Sequence, residues 1–304
     1  SLLNTISFNL PDDLDQLDKW LGHREDTMYD LKENNRAGIL WKDPDNKSST
    51  PYSLVYIHGF TAGPEEGAPV HENVAAELGM NLYKSRLPGH GLRHIDAMAH
   101  LTSDDMVESA VEALAIGKKI GHKVILMGTS TGGALALYLA AHYADIAALI
   151  LYSPLVNFRD FHSRMLTNSW GRRLTKYFMG GKYLRKKSSA DTAERNIWNE
   201  TYRAEATIAL GFLVKGTMTR KTFLKIKQPT FLGYYYKNKK QQDTTVSVEA
   251  MIEMFGRIKT PDSLKRSIAF PHAGSHVICS KVTSDSYQAV QKETIEFLND
   301  VLQD

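Results

Sequence analysis

The sequence predicts an α/β fold: a mostly parallel central sheet flanked by helices, with a helical segment inserted between two of its strands. Three observations predict it. From about residue 52 onward, short apolar runs alternate with amphipathic helical patterns, the signature of strand-helix-strand units on a parallel sheet. The longest apolar tract, 124–155, is broken by Gly128, Ser130, Gly132, Gly133, His142 and Asp145. The breaks leave strand, helix and strand lengths, so the tract reads as the buried centre of a sheet and not as a membrane span. Third, the stretch 155–228 interrupts the alternation with helical texture and no convincing strand.

Each element has a local reason. Residues 1–50 form a lead-in, with LDQLDKWL (14–21) as a short amphipathic helix and AGILW (37–41) as an edge strand. The core strands are SLVYI (53–57), NLYKSRL (81–87), KVILM (123–127), AALILY (147–152), PTFLGYY (229–235) and RSIAF (266–270). Pro69 suits the first turn of a helix over VHENVAAEL, and Gly79 suits its stop. Thr102 is placed to cap a helix running to about Ile120, with Asp104 and Asp105 at its positive end. A last surface helix is expected near 284–302. The core is therefore 51–154 and 229–304, with 155–228 as a cap over the carboxyl ends of the strands.

Composition narrows the function classes. With 304 residues, 42% hydrophobic and 23% charged, the chain has the makeup of a soluble globular protein with one large domain and an insertion. A net charge of +3 gives no reason to expect a nucleic-acid partner. The single cysteine, Cys279, excludes an intramolecular disulfide and reads as a small buried apolar residue. No signal-peptide pattern is visible and the chain does not begin with methionine. A soluble protein, cytoplasmic or exported after leader removal, is expected; the oligomeric state is left open.

The chemistry centres on Gly128-Thr129-Ser130-Thr131-Gly132, between an apolar run and the helix-like ALALYLAAHY. Ser130 then lies where a strand turns sharply into a helix. The flanking glycines are needed because a side chain at either would meet the neighbouring strand or helix. An activated serine requires a base, a carboxylate that orients the base, and donors for the oxyanion. The first core strand ends in His58-Gly59-Phe60, so the N–H groups of Phe60 and Thr131 are the natural oxyanion pair. Asp243 is the acid between the PTFLGYYY strand and the helix that follows, although the lysine-rich KNKKQQ (237–242) delays it; Glu249 is the fallback. The base is His276, in a segment of small residues anchored by Val277 and Ile278, while His272 reads as a surface residue.

The chain resembles the α/β-hydrolase superfamily, and within it bacterial carboxylesterases and monoacylglycerol-lipase-like serine hydrolases of the serine aminopeptidase S33-type branch. The likeness is carried by HGFTAGPEE (58–66), RLPGHG (86–91), GTSTGG (128–133), YSP (152–154), DTTV (243–246) and GSHVI (274–278). It implies an α/β-hydrolase fold with Ser130, Asp243 and His276 as triad, Phe60 and Thr131 amides as oxyanion hole, and His90 as a structural residue. The delayed acid and the GSH segment depart from the usual pattern without removing a catalytic residue.

The first half of the cap, 158–187, carries nine lysines and arginines against the single acid Asp160, interleaved with Phe158, Phe161, Trp170 and Tyr177 among other apolar residues. One reading is an apolar acyl tunnel under a positive rim that meets anionic esters or a lipid surface. The other is an amphipathic lid whose cations face water. The expected activity is cleavage of a short- or medium-chain or monoacylglycerol-like carboxylic ester through an acyl-enzyme on Ser130, with no metal or organic cofactor and a small-molecule ester as partner. The alternatives are an aminopeptidase or amidase of the same fold, to which Glu194, Glu200 and Glu205 lend some support, and a non-catalytic ligand-binding protein.

Overall fold

The computed structural model describes residues 3, 6–160, 183–185 and 191–302. The described strands are β1 (Gly38–Leu40), β2 (Thr50–Ile57), β3 (Asn81–Lys84), β4 (Gly121–Thr129), β5 (Ile146–Tyr152), β6 (Tyr183–Arg185), β7 (Thr201–Arg203), β8 (Thr230–Tyr234) and β9 (Lys265–Ala269). Seven of them form one sheet in the order β1-β3-β2-β4-β5-β8-β9. Every neighbouring pair is parallel except the edge pair β1 and β3.

The helices are α1 (Leu14–Asp26), α2 (Val70–Glu77), α3 (Ser103–Ile120), α4 (Thr131–Ala140), α5 (Thr192–Ile197), α6 (Ala204–Thr217), α7 (Arg220–Phe223), α8 (Val248–Arg257) and α9 (Tyr287–Val301). Strand residues alternate between two cores with the two-residue period of a pleated strand. Val55 and Ile57 of β2 join one core with residues of α1, α3, α4, α6 and α8. Leu54 and Tyr56 face the other way, toward Val74 of α2 and Phe297 of α9. Burial on both faces explains why β4 and β5 read as unbroken apolar runs.

Each expected core strand is present, although β3 stops at Lys84 short of the expected 87 and α1 runs on to Asp26 past the expected 21; the local signals at Thr102 and Gly79 act as expected. Thr102 caps α3 in a reciprocal box with Asp105, satisfying two otherwise open amides. Gly79 follows α2 at φ +64°, a conformation glycine adopts at little cost. The segment between β5 and β8 differs from expectation in one respect. It contains a two-stranded antiparallel ladder, β6 with β7, where helices alone were expected. Three-residue strands such as YLR and TYR are too short for a two-residue period to register. Within the same segment, α6 packs on α3 and α4, whereas α5 lies near the 3-10 turn Pro64–Gly67. Among the described residues no helix is long and apolar enough to cross a membrane.

Candidate active site

Ser130 stands between β4 and α4 with φ 54° and ψ −112°, a left-handed region that a non-glycine residue enters only under strain. The neighbours show why glycines flank it. A Cβ on Gly128 would lie 2.4 Å from the Gly132 carbonyl carbon, and one on Gly132 would lie 1.8 Å from the Ile57 carbonyl oxygen. The turn is held at its ends by Ser130 N–H donating to Tyr152 O at 3.0 Å and by Ser130 O accepting from Leu155 N–H at 2.8 Å. Ser130 is 7% exposed, and it lines a cavity of about 410 Å³.

Asp243 and His276 lie on opposite sides of β9 in the chain, Asp243 after β8 and His276 after β9, and meet beyond the carboxyl end of β8. The lysine-rich loop that delays Asp243 in sequence closes on itself: Tyr236 bridges Gln242, and Lys237 N–H donates to Gln241 O at 2.9 Å. The excursion therefore returns Asp243 to the strand it left, with Asp243 N–H donating to Tyr235 O at 3.1 Å. Its carboxylate is fully buried. Oδ1 accepts from the amides of Thr245 (2.8 Å) and Val246 (3.0 Å), and Oδ2 accepts from His276 Nδ1 at 2.6 Å. Burial pushes this carboxyl's pKa up, but the His276 charge and hydrogen bond together with the two amides outweigh it and hold the pKa below the ordinary aspartate value. Since Nδ1 is committed to Asp243, Nε2 is the ring nitrogen left for chemistry. It is buried and has no partner among the described residues, and His276 lines the same cavity as Ser130.

The turn at Gly59 and Phe60 is set by His58. Its Nε2 accepts from Leu87 N–H at 3.0 Å, so the proton sits on Nδ1, which donates to Gly59 O at 2.8 Å. Burial, and next the neighbouring His90, keep its pKa well below the usual histidine value, so the ring stays neutral. The Gly59–Phe60 peptide is trans, which turns the Phe60 N–H away from the carbonyl that His58 holds. Phe60 and Thr131 both line the cavity, and Thr131 opens α4, where first-turn amides lack an intrahelical acceptor.

Among the other sequence-predicted residues, Phe158 is buried at the cavity wall and bridges Val246. Phe161, Trp170 and Tyr177 lie outside the described residues, as do seven of the nine basic residues of the cap's first half. Glu249 and His272 are exposed, and His90 is buried with Nδ1 donating to Pro88 O. Cys279 is fully buried, where burial and then Glu66 push its thiol up to about 12, a poor nucleophile. The cavity also takes in Glu66, Trp198, Asn199, Tyr202 and Leu210, which sequence reasoning missed. Only Glu66 left a trace, inside the HGFTAGPEE motif.

Comparison with known proteins agrees with the fold. The model of the alpha/beta hydrolase family matches residues 54–280. A thermostable monoacylglycerol lipase of Bacillus sp. (strain H-257) is 33% identical over 115 residues, which is 38% of this chain; the match spans only 45% of that relative's length. Among solved structures, one of the metagenome-derived lipolytic enzymes LipS and LipT superposes with a TM-score of 0.70 at 16% identity, covering 88% of this chain and 99% of the other. A monoacylglycerol lipase from Paleococcus ferrophilus gives 0.60 at 16% identity, covering 83% of this chain and 96% of the other.

Proposed function

This chain belongs to the alpha/beta hydrolase family, and we propose that it is a serine hydrolase that cleaves carboxylic esters through an acyl-enzyme on Ser130. The observation that carries the reading is the His276 imidazole, bonded through Nδ1 to buried Asp243 at 2.6 Å with its Nε2 unpartnered among the described residues, in the cavity that Ser130 lines.

The chemistry follows from that arrangement. Nε2 takes the Ser130 proton as Oγ attacks the ester carbonyl, and the buried Asp243 carboxylate stabilises the imidazolium that results. The amides of Phe60 and Thr131 hold the oxyanion; a donor of this kind is worth about 10²- to 10³-fold in rate. His276 then returns its proton to the leaving alcohol, and water activated by the same nitrogen releases the acid. Residues 155–228 act as the cap, supplying Phe158, Trp198, Tyr202 and Leu210 as apolar wall. A cavity of about 410 Å³ suits an ester of short or medium acyl length, and the Bacillus relative's name favours a monoacylglycerol-like substrate. A second reading, hydrolysis of an aminoacyl amide, draws on Asp160, Glu194 and Glu200 at the cavity wall.

The test is Ser130→Ala beside the wild type on p-nitrophenyl esters of increasing acyl length and on an aminoacyl amide. Wild-type turnover of esters and its loss in the variant, with unchanged melting, are expected. Equal activity in the two proteins would refute the assignment, and preference for the amide would select the second reading.

A further inference from the structure

We propose that Glu66 is a positioning residue for the oxyanion hole, joining the Gly59 turn, the strand that leads to the nucleophile and the Trp198 wall of the pocket into one rigid unit; this rests on the serine-hydrolase reading above. Glu66 lies in the 3-10 turn Pro64–Gly67, is 1% exposed and lines the cavity. Among the described residues its carboxylate accepts from three neutral donors. Oε2 takes Gly59 N–H at 2.6 Å and Tyr56 O–H at 3.0 Å, and Oε1 takes Trp198 Nε1–H at 3.2 Å. Burying a carboxylate is costly unless donors replace its hydration, and burial raises the pKa of this one even though all three donors pull it down. What the carboxylate holds gives that cost a purpose.

Gly59 is gripped on both sides of its α-carbon. Glu66 takes its N–H and the His58 ring takes its carbonyl, so neither adjoining peptide plane is free to rotate. The second plane carries the Phe60 N–H. The packing leaves no slack: a Cβ on Gly59 would lie 2.9 Å from Glu66 Oε1 and 3.3 Å from Ser130 Cβ. The Tyr56 hydroxyl, whose hydrogen is donated in the bond to Glu66, accepts from Thr129 Oγ1 at 3.0 Å. Thr129 immediately precedes Ser130, so the carboxylate is linked to the nucleophile strand as well. On the cap side, the Trp198 carbonyl accepts from Lys32 Nζ at 2.8 Å, and Asn199 N–H donates to Thr61 O at 2.7 Å. Glu66 therefore sits where the oxyanion turn, β4 and the segment after α5 converge, and acts through Gly59.

Donors that are aimed before reaction contribute most to the rate, and a misplacement of about 1 Å costs on the order of 10²-fold. Glu66→Ala is expected to lower kcat on a p-nitrophenyl ester by roughly 10- to 100-fold with KM within about twofold, because donor alignment and not substrate affinity is lost. Glu66→Gln keeps an oxygen for Gly59 N–H and Tyr56 O–H and loses only the Trp198 bond, where its NH2 meets another donor, so kcat should recover to within about threefold of wild type. Wild type and Ser130→Ala are measured alongside, with thermal melting of every protein. If Glu66→Ala does not fold, Glu66→Asp, which withdraws the carboxylate from Gly59 while keeping its charge, takes its place with the same two outcomes. A wild-type kcat in Glu66→Ala, a loss confined to KM, or a Glu66→Gln as impaired as Glu66→Ala overturns the proposal while the serine assignment stands. A wild type no more active than Ser130→Ala removes the reading and the proposal together.

Discussion

Replacing Gly132 by alanine tests the geometry of the site in the most direct way. The added Cβ would lie 1.8 Å from the Ile57 carbonyl oxygen, 2.5 Å from its carbon and 2.9 Å from the His58 oxygen. All three are backbone atoms, at the end of β2 and the start of the turn that follows it, so no side chain can rotate away. A carbon-to-oxygen contact settles at about 3.3 Å, leaving a shortfall of about 1.5 Å. Relief requires the start of α4 to separate from the end of β2, the two elements that carry Ser130 and the Phe60 amide. Displacement of that size predicts a loss of at least about 100-fold in kcat/KM, with about 1–3 kcal/mol of stability lost to overpacking. Gly256 is the control: it lies in α8 with nothing within 4 Å of its added Cβ. Gly256→Ala should leave turnover unchanged and raise stability by about 0.5–1 kcal/mol. Urea unfolding and ester kinetics on both variants decide the matter. A Gly132→Ala protein with wild-type turnover and midpoint would refute this account of the elbow.

Three further outcomes follow from the same structure. Asp243→Asn should reduce kcat about 10⁴-fold with KM changed only a few-fold, because the amide no longer selects the Nδ1–H tautomer of His276; stopped-time ester assays at saturating substrate measure it. Because the folded-state pKa of Asp243 is depressed, its ionised form adds stability that is present above the ordinary aspartate pKa of about 3.9 and lost as pH falls below it. The difference in unfolding free energy between wild type and Asp243→Asn should accordingly shrink as urea titrations move from neutral pH into that acid range. Glu25→Ala should cost about 3–5 kcal/mol, since Glu25 accepts from Arg86 Nε at 2.8 Å and Nη2 at 2.9 Å with both side chains buried; a urea midpoint unchanged by the substitution would count against it.

The periodic and local signals carried most of the fold. Alternating apolar runs, the Thr102 cap, Gly79 and the glycines around Ser130 act within a few residues of themselves, and each determines its element without knowledge of the rest. Ser130 was legible for that reason: a strained turn between strand and helix is written in five consecutive residues. Asp243 and His276 were legible as residue types after the last strands, but their 2.6 Å contact depends on how the loop 237–242 folds. Counted along the chain that loop looks like a delay; its Tyr236 to Gln242 bridge removes the delay in space. The β6 to β7 ladder escaped notice because three residues are too few to display a period, and the paired residues lie 16 to 20 positions apart in the chain.

Glu66 is the clearest case of what tertiary structure alone decided. In sequence it is one of two adjacent glutamates in a turn, indistinguishable from a solvated pair. Its neighbour Glu65 is half-buried, while Glu66 is enclosed by donors from residues 56, 59 and 198. The sequence by itself determined the α/β order, the strand-to-helix turn at Ser130 and the residue types of the candidate site, because those rest on local backbone constraints and on burial patterns. Which carboxylate faces the histidine, which one grips the Gly59 turn and what walls the cavity depend on contacts between segments far apart in the chain, and only packing brings those together.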